Sequence, residues 1–467
     1  MPERCNILFI MADQFRRDAL GCMGGHGWSP ALDALAADGV VFPRAVTNSP
    51  DCMPARFALA TGLYPRQTGI WRNAKLTLAP TAWNWMKALR DSGYRTSVFG
   101  KTHFHGSAQP SGDLREGLDL MHEYGFEDVD EIAGPRGNMH TLSNMTERWR
   151  DMGLWEPYRR DFQERFETKP YLVRSSPLGQ KHYYDTYVGQ RATEFLSGCG
   201  QREPWFCFVS FGGPHEPWDA PAPYDVMYEA TGMPKPVARM SNYGKAGGLL
   251  SRLFQSAQSP PLTPDEVAGM RANYAGNVRL IDDQIRSIID TVKAQGVYDN
   301  TLVIFTSDHG EMNGDHGLIY KHNFLSAAVE IPLIVRPPQR RALARSTAST
   351  ALVELIDVGP TVLDYAGLRL PLWSGARSLR PLMEGRGATH RSYVVAEFAG
   401  HTMIANQWGK AEFDPEKRPT LLFDHAADPD EQHNLIEDPR ARSMGVELER
   451  SWRHHLAQNA ETIRITQ

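Results

Sequence analysis

The chain has 467 residues, more than a single hydrophobic core usually serves, so we expect one large domain and one smaller domain. Its formal net charge of −5 gives no overall attraction to nucleic acid or anionic lipid, and a mean hydropathy of −0.43 without a long apolar run argues against a membrane protein. The five cysteines lack the close pairing of a disulfide framework, so we expect mainly reduced thiols.

The first apolar segment, residues 6–11, bears on where the protein is located. It is too short for the core of a signal peptide and is soon followed by Asp13. We therefore expect a cytoplasmic protein with no nucleic-acid partner and no membrane partner, and the sequence leaves a homo-oligomer open.

Four short apolar runs each end in a polar or glycine-containing turn, which is typical of a buried strand followed by a functional loop. They are residues 6–11, 95–99, 205–211 and 302–305. Helical patterns lie between them, so the sequence predicts an α/β sandwich with a mainly parallel sheet covered by helices on both faces. Ligands bind beyond the carboxyl ends of such strands, so we expect the four turns to meet at one site.

Three helices have clear start and stop signals. They run from Ser29-Pro30 to Gly39, from a cap at Thr81 to Gly93, and from Thr263-Pro264 to Gly296. Residues 106–180 and 217–262 have weak periodicity, and we interpret them as long excursions around the pocket that set substrate choice.

The pattern changes after about residue 370. Short apolar runs at residues 393–396, 401–404 and 420–423 predict a small antiparallel sheet, and a terminal helix at about 440–458 would cover it. The sequence therefore predicts a catalytic α/β domain of residues 1–370 and a small C-terminal α+β subdomain of residues 371–467.

Two of the strand-end turns carry neighbouring groups that could bind one cation. They are Asp13-Gln14 and Asp308-His309. Carboxylate and amide oxygens favour calcium or magnesium, whereas imidazole favours manganese or zinc, so these residues leave the metal open. Each pair alone could also be a solvated turn.

Cys52 precedes a predicted helix that has Pro54 in its first turn and ends at Gly62. A helix N-terminus lowers the pKa of a thiol, and Arg56 follows one turn later to neutralise an anionic substrate. Two interpretations stay open on these residues alone: an unmodified thiol nucleophile, and a buried thiol without a chemical role.

The segment around Cys52 resembles the signature of the formylglycine-dependent sulfatases of the alkaline phosphatase superfamily. The motifs that carry this resemblance follow the family's order across nearly the whole chain: Asp13-Gln14, Cys52-Met53-Pro54-Ala55-Arg56 with Leu59-Ala60-Thr61-Gly62, Gly100-Lys101-Thr102-His103, Pro214-His215-Glu216-Pro217, Ser307-Asp308-His309-Gly310 and Lys321. The resemblance implies an alkaline-phosphatase-like α/β/α sandwich, and a formylglycine-generating enzyme that oxidises Cys52.

The resemblance also implies a ligand set and a reaction. One divalent metal, calcium with manganese as the alternative, would be bound by Asp13, Gln14, modified Cys52, Asp308 and His309. A small-molecule sulfate monoester would be cleaved to alcohol and sulfate through a covalent formylglycine-sulfate intermediate. The Asp-Gln and Asp-His pairs resemble those of choline sulfatases and phosphonate monoester hydrolases, whereas Lys101 and His103 favour sulfate esters over phosphonates.

The remaining roles follow from the same resemblance and from the charge of a sulfate ester. Arg56 would hold the hydrated formylglycine, Lys101 and Lys321 would neutralise the sulfuryl oxygens, and His215 would protonate the leaving oxygen. His103 would then remove a proton to expel sulfate. Asn73 would contact the diol or the sulfate.

Three alternatives stay open. They are a phosphonate or phosphate diester hydrolase with the same nucleophile, a non-catalytic anion- or carbohydrate-binding relative, and a thiol hydrolase that uses Cys52 with His103. The last one leaves Asp13 and Asp308 without a role.

Other polar and aromatic residues bear on the alcohol half of the substrate. Basic residues suited to an anionic sugar are Arg136, Arg159, Arg160, Arg174 and His182, and aromatic residues suited to a sugar face or a quaternary ammonium are Trp149, Trp155, Tyr158, Tyr183 and Trp218. We expect His105 and His322 to be structural or at the pocket rim, and Glu397 and His401 to lie at the surface, with the pocket mouth as the alternative.

Overall fold

The structure is a computed structural model that describes residues 4–25, 28–105, 112–168, 172–200, 203–240, 242, 248–255, 261–338, 347–369, 371, 375–387, 389–463 and 465–466. The strands are β1 Asn6–Asp13, β2 Val40–Val41, β3 Ala45–Val46, β4 Arg95–Gly100, β5 Asp128–Glu131, β6 Trp205–Pro214, β7 Thr301–Ser307, β8 Leu333–Arg336, β9 Thr347–Ala348, β10 Val353–Glu354, β11 Val394–Phe398, β12 His401–Ala405, β13 Gly409–Phe413 and β14 Pro419–Asp424. The helices are α1 Pro30–Ala37, α2 Cys52–Thr61, α3 Pro65–Thr68, α4 Trp85–Asp91, α5 Leu118–Glu123, α6 Asn144–Asp151, α7 Trp155–Thr168, α8 Gly179–His182, α9 Tyr184–Gly198, α10 Gly248–Gln255, α11 Pro264–Ala294, α12 Ser326–Val329, α13 Val358–Ala366, α14 Arg380–Met383 and α15 Arg442–Gln458.

The large sheet has eight strands in the order β5-β4-β6-β1-β7-β8-β2-β9. The four predicted strands are β4, β6, β1 and β7, which lie side by side and parallel. Strand β8 is antiparallel to both β7 and β2, so the sheet is mixed but mainly parallel, as predicted. The carboxyl ends of the four predicted strands therefore lie at one edge of the sheet.

Helices cover both faces of this sheet because successive side chains of a strand point to opposite sides. In β1, Leu8 and Ile10 belong to a core shared with α9 and α11, whereas Ile7 and Phe9 belong to a second core shared with α2, α4 and α13. Every residue of β1 is buried, which is typical of a strand covered on both faces. The predicted sandwich is confirmed.

The predicted helix boundaries agree with the structure at two of three helices. Helix α1 follows Ser29, and the long helix α11 begins with a capping box in which Thr263 accepts from the backbone of Glu266. The prediction of a cap at Thr81 is wrong: α4 begins at Trp85, and the side chain of Asn84 accepts from the backbone N–H of Lys87 at 2.9 Å.

The excursions have more regular structure than their sequence indicates. Residues 106–180 include α5, α6, α7 and the start of α8, and residues 217–262 include α10; residues 106–111, 169–171, 241, 243–247 and 256–260 lie outside the described residues. Helix α6 has a hydrophobic side that packs inward through Met145 and Trp149, while its remaining residues are mostly charged. These charged residues obscure the helical periodicity in the sequence.

The C-terminal region forms an antiparallel sheet in the order β11-β12-β13-β14 with α15 packed on it. The predicted terminal helix and three of the four strands are present, and β13 was missed. Strand β13 contains Lys410 and Glu412, whose charges are buried and paired with Glu431 and His401. The division at residue 370 stays a prediction, and residue 370 itself lies outside the described residues.

Within the described part of the chain, none of the helices is both long enough and apolar enough to cross a lipid bilayer.

Candidate active site

The carboxyl ends of β1 and β7 bring four predicted site residues together. Asp13 is the last residue of β1, and Asp308 directly follows β7. The backbone N–H of Gln14 donates to Asp308 Oδ1 at 3.1 Å, so the two strand ends are joined. Gln14 has a φ of 64°, a left-handed conformation that turns the chain sharply after the strand. Two motifs separated by almost 300 residues thus form one cluster, as predicted.

His309 presents one ring nitrogen to this cluster. Its Nδ1 lies 3.0 Å from the carbonyl oxygen of Gly310. A carbonyl can only accept, so Nδ1 carries a proton and Nε2 faces the site, where the carboxylate of Asp308 outweighs the effect of burial and raises the pKa of His309 to about 9. Nε2 lies 3.7 Å from Asp308 Oδ1 and 4.0 Å from Asp13 Oδ1.

Cys52 is the first residue of α2, and its side chain reaches the same cluster. Asp51 caps the helix, and its Oδ1 accepts from the backbone N–H of Cys52 at 3.1 Å. The thiol is 2% exposed, and Sγ lies 3.2 Å from His309 Nε2 and 3.8 Å from Asp13 Oδ1. In formylglycine, oxygen takes the place of this sulfur, so the position of Sγ indicates where that oxygen would lie.

The pKa of Cys52 lies well below its usual value. Burial alone would raise the pKa, but the nearby cations of Lys101 and Lys321 outweigh this effect, with smaller contributions from His309 and a hydrogen bond from His103. The site therefore favours negative charge at this position. The same property would favour an ionised oxygen or a bound sulfate.

The two lysines are buried and charged. Lys101 Nζ lies 2.6 Å from Asp13 Oδ2 and 3.8 Å from Cys52 Sγ, and Lys321 Nζ lies 3.4 Å from the same sulfur. Burial lowers the pKa of each ammonium, but the surrounding anions, chiefly Asp13 for Lys101 and Cys52 for Lys321, raise both pKa values above their usual range. Lys321 is therefore a buried cation beside Cys52 and not a solvated surface charge.

Arg56 lies beneath the cluster. Its Nε donates to Asp308 Oδ2 at 2.8 Å, and Nη2 donates to Asp13 Oδ2 at 3.1 Å. Nη1 donates to the carbonyl oxygen of Lys101 and to Ser210 Oγ. Arg56 thus binds the two carboxylates directly, so any effect on the diol would act in addition to this contact.

His215 lies in the loop after β6 and is buried. Its Nδ1 lies 2.8 Å from the carbonyl oxygen of Glu216. Burial lowers the pKa of His215 to about 4, and although the carboxylate of Glu216 opposes this shift, the cation of Lys321 adds to it. The ring is therefore neutral at neutral pH in the absence of substrate. A bound anion would raise this pKa, as a general acid requires.

Two acidic residues of the site were not predicted. Gln14 Nε2 donates to Glu216 Oε2 at 2.8 Å and also to Glu311 Oε2. This arrangement directs Gln14 Oε1 to Lys321 Nζ, 2.6 Å away. Glu216 belongs to the Pro-His-Glu-Pro motif and Glu311 follows Gly310, so both lie next to predicted site residues.

The donor set fits a divalent metal ion. The ligand atoms of Asp13, Cys52, Asp308 and His309 all lie within 4.8 Å of one another and are buried. Two carboxylates, one imidazole and one further position offer mainly hard ligands, consistent with the predicted calcium or manganese. The amide oxygen of Gln14 interacts with Lys321, and its role as a ligand stays a prediction.

Asn73 supports the start of α2. Its Oδ1 accepts from the backbone N–H of Met53 at 2.7 Å, and its own N–H donates to Asp51 Oδ2 at 2.8 Å. These contacts orient the helix end that carries Cys52. The predicted contact with the diol or sulfate stays a prediction.

The structure corrects the expectation that Glu397 and His401 lie at the surface. Both are buried. Glu397 accepts from the backbone N–H of Arg66 at 2.8 Å and lies 3.1 Å from His455 Nε2, while His401 Nδ1 lies 2.8 Å from Glu412 Oε1. The contacts of Glu397 offset its burial and join the C-terminal sheet to α3 and α15, whereas His401 lies beside a carboxylate of the same sheet.

His105 and His322 lie where the sequence predicted them, in a structural position and at an exposed rim. His105 is buried, with Nε2 2.9 Å from Glu131 Oε2, whereas the His322 side chain is 43% exposed and stacks on Phe398. His105 is therefore structural, and His322 lies on the exposed side of Asp51.

The residues proposed for the alcohol half differ in burial and in their partners. Of the proposed aromatic residues, Trp149, Tyr158, Tyr183 and Trp218 are buried in the hydrophobic core and Trp155 packs against it, so a direct role of the four buried rings in binding a sugar face is wrong. Arg174 forms ion pairs with Asp161 and Glu164. Arg136, Arg159 and Arg160 line a shared cavity.

Comparisons with known proteins identify the family to which a site of this composition belongs. A family model described as Sulfatase matches residues 5–368, and a second model, described as N-sulphoglucosamine sulphohydrolase, C-terminal, matches residues 314–458. A multifunctional alkaline phosphatase superfamily protein from Trinickia caryophylli is 29% identical, covering 93% of this chain and 92% of its own length. A choline-sulfatase from Rhizobium meliloti (strain 1021) is 29% identical, covering 93% of this chain and 83% of its own length.

A solved structure extends the agreement to the fold. The phosphonate monoester hydrolase from Silicibacter pomeroyi superposes with a TM-score of 0.78 at 24% identity, covering 98% of this chain and 96% of its own. Because the sulfatase model spans most of the sequence, the chain belongs to the sulfatase family of the alkaline phosphatase superfamily and is a sulfuric ester hydrolase.

Proposed function

We propose that this sulfatase hydrolyses a small-molecule sulfate monoester by means of formylglycine, generated from Cys52 by a formylglycine-generating enzyme. One observation carries the proposal: Cys52 Sγ lies within 3.8 Å of His309 Nε2, Lys321 Nζ, Lys101 Nζ and Asp13 Oδ1. Two cations and two metal-ligating groups around one atom are what an oxygen nucleophile and an anionic substrate require.

The metal would be bound by Asp13, Asp308 and His309, with position 52 and Gln14 as further ligands. A bound divalent ion lowers the pKa of a hydroxyl group beside it and so supplies a nucleophile at neutral pH. Calcium is the proposed ion because carboxylate oxygens dominate the set, and manganese is the alternative because His309 is present.

The lysines and histidines would act on the sulfate ester. Lys101 and Lys321 keep their charge in the buried site and neutralise the sulfuryl oxygens as negative charge develops. The bound anion raises the pKa of His215, which then donates a proton to the leaving oxygen. His103, which interacts with position 52, accepts the proton whose removal releases sulfate.

The test is production of the protein with and without a formylglycine-generating enzyme. We expect the tryptic peptide around residue 52 to lose one sulfur and two hydrogens and to gain one oxygen, and turnover of 4-nitrophenyl sulfate to require this change. Cys52→Ala should abolish turnover, and Cys22→Ala, at an exposed cysteine, should leave it unchanged. Chelation should stop turnover, and addition of calcium or manganese separately identifies the ion that restores it.

Three outcomes would contradict the proposal. Full turnover by protein that retains the thiol would favour a thiol hydrolase. A higher kcat/KM for an aryl phosphonate monoester than for the matching sulfate would favour the phosphonate hydrolase alternative. Tight binding of sulfated ligands without turnover by modified protein would indicate a non-catalytic relative.

A further inference from the structure

A cavity of about 650 Å³ lies between the segment 136–140 and helix α7. Its lining residues are Arg136, Met139, His140, Glu156, Arg159, Arg160, Phe162, Gln163, Phe166 and Glu167. Sites for small molecules commonly have volumes of about 300–1,000 Å³, so this cavity could accommodate one ring and its substituents. It is built from an excursion of the chain rather than from the sheet.

Arg136 connects this cavity to the active site. Its Nε and Nη2 donate to Glu216 Oε1 at 2.9 and 2.6 Å. The other oxygen of Glu216 accepts from Gln14, which contacts Lys321 beside Cys52. The Arg136 guanidinium also lies 5.5 Å from the ring centre of Tyr320, the residue before Lys321. One side chain thus belongs to both the cavity wall and the surroundings of the nucleophile.

The apolar part of the cavity wall is aromatic and flat. The rings of Phe162 and Phe166 stack with centroids 4.8 Å apart and an interplanar angle of 16°. The Arg136 guanidinium lies 4.5 Å from the Phe166 ring centre. Parallel rings and a guanidinium plane favour a ligand with a flat or apolar ring face.

Three guanidinium groups line the cavity, and their ion-pair partners determine which of them could bind a ligand. Arg136 pairs with Glu216, and Arg159 Nη1 pairs with Glu156 Oε2 at 3.1 Å. Glu167 accepts a hydrogen bond from Gln163. Among the described residues Arg160 forms no ion pair, although it lines the same cavity. Its guanidinium is therefore available for an anionic group of a ligand.

We propose that this cavity binds the alcohol half of the substrate, and that Arg160 selects an alcohol whose ring carries a second negative charge. The proposal rests on the proposed function, because it names the substrate class of the same site. The sulfate lies at Cys52 between the two lysines, the ring lies against Phe166 and Arg136, and the additional carboxylate or sulfate pairs with Arg160. The shared chemistry is an anionic ring alcohol, either aryl or glycosyl.

The test compares substrates that differ in one charge. The three isomers of carboxyphenyl sulfate are matched with their methyl esters, and a sulfated uronic acid is matched with the same sulfated hexose. We expect the formylglycine-containing enzyme to have a KM about tenfold lower for the charged member of at least one pair, since a charge-assisted hydrogen bond is worth at least this factor. The aryl and sugar pairs distinguish the two sources of the ring.

The variants separate the charge from the ring contact. Arg160→Gln should raise KM for the charged substrate about tenfold, leave the neutral one within about twofold, and leave kcat unchanged. Phe166→Ala should raise KM for both members of a pair. Arg453→Gln, at an exposed arginine of α15 paired with Glu449, is the control and should change neither.

The outcomes distinguish this inference from the proposed function. No preference for charge in any pair, or an equal change of both KM values in Arg160→Gln, would overturn the role of Arg160. If formylglycine-containing protein cleaves none of the sulfates, the proposed function fails. In that case, titration calorimetry with the carboxyphenols decides on the cavity, and binding that is unchanged in Arg160→Gln would refute it.

Discussion

Arg56 carries its guanidinium into the centre of the site, where its three nitrogens have separate partners. It binds the carboxylates of Asp13 and Asp308, the Lys101 carbonyl and the Ser210 hydroxyl. These partners come from β1 and β6 and from the residues that directly follow β4 and β7. A planar, permanently charged fork can serve all four at once, which the single ammonium of lysine cannot.

Arg56→Lys should therefore lower the free energy of unfolding by about 3 kcal/mol in chelator, because buried carboxylates lose part of their compensation. The loss should be smaller in calcium, since a bound ion would interact with the same carboxylates. Urea unfolding in the two buffers measures both values. Arg453→Lys on the exposed side of α15 is the control, and equal losses for the two variants would show that burial of the Arg56 partners has no energetic effect.

At this scale, much of the site could be predicted from the sequence. Cys52, Arg56 and Lys101 belong to short motifs, and strand ends of a parallel sheet converge whatever lies between them. The contacts of Gln14 with Glu216 and Glu311 could not be predicted, because they depend on side-chain positions from three separate loops. The burial of polar pairs such as Glu397 with His455 likewise leaves no pattern in the sequence.

Helix α4 illustrates how local signals can be ambiguous. Thr81 and Asn84 are both good cap residues, and three residues separate them. The structure uses Asn84, whose backbone is extended at φ −144° and ψ 153°, while Thr81 is exposed. Packing of Trp85 and Leu89 into the core determines where the helix can begin.

Asn84→Ala should lower the free energy of unfolding by about 1 kcal/mol, because the backbone N–H of Lys87 loses its acceptor. Thr81→Ala should change it by less than about 0.5 kcal/mol, as expected for an exposed position. Chemical denaturation of both variants checks the assignment. A larger effect at Thr81 would restore the start of the helix predicted from the sequence.

Strands were predictable where they are apolar and missed where they are charged. Strand β13 carries Lys410 and Glu412, and β5 carries Asp128, Asp130 and Glu131. These side chains are stabilised by partners on distant elements, such as Arg191 for Asp130. A rule based on alternation of apolar residues cannot detect such strands.

At the scale of the whole molecule, Asp185 links pH to stability. This buried side chain in α9 accepts from the backbone N–H groups of Gly212 and Gly213 at the end of β6. Burial raises its pKa from 3.8 to about 7; the two N–H groups oppose the shift, and the charges of Asp219 and Asp13 add to it. The folded state therefore holds a proton that the unfolded chain releases near pH 4.

The stability of the folded state should therefore fall as pH rises from about 4 to about 7. The stabilisation from the retained proton is fully present below about pH 4 and is lost as pH rises through about 7, by at most about 1.4 kcal/mol per pH unit. Asp185→Asn retains an acceptor for both glycines, so its stability relative to the wild type should increase from pH 4 to pH 7. Thermal and urea unfolding from pH 4 to pH 7 measure this difference, with Asp290→Asn, at an exposed residue of α11, as the control for loss of one carboxylate. A constant difference would contradict it.

The central position of β1 has a consequence for the order of events during synthesis. Ile7 pairs with Phe206 on one side and with Leu302 on the other, so β1 leaves the ribosome long before either neighbour exists. The cluster that covers Cys52 also requires His309 and Lys321. If Cys52 is oxidised as proposed, the oxidising enzyme would have access to the nascent chain and would lose it when the last third of the sequence folds. Rapid folding and complete maturation would then compete, and slower translation beyond residue 62 would favour the active form.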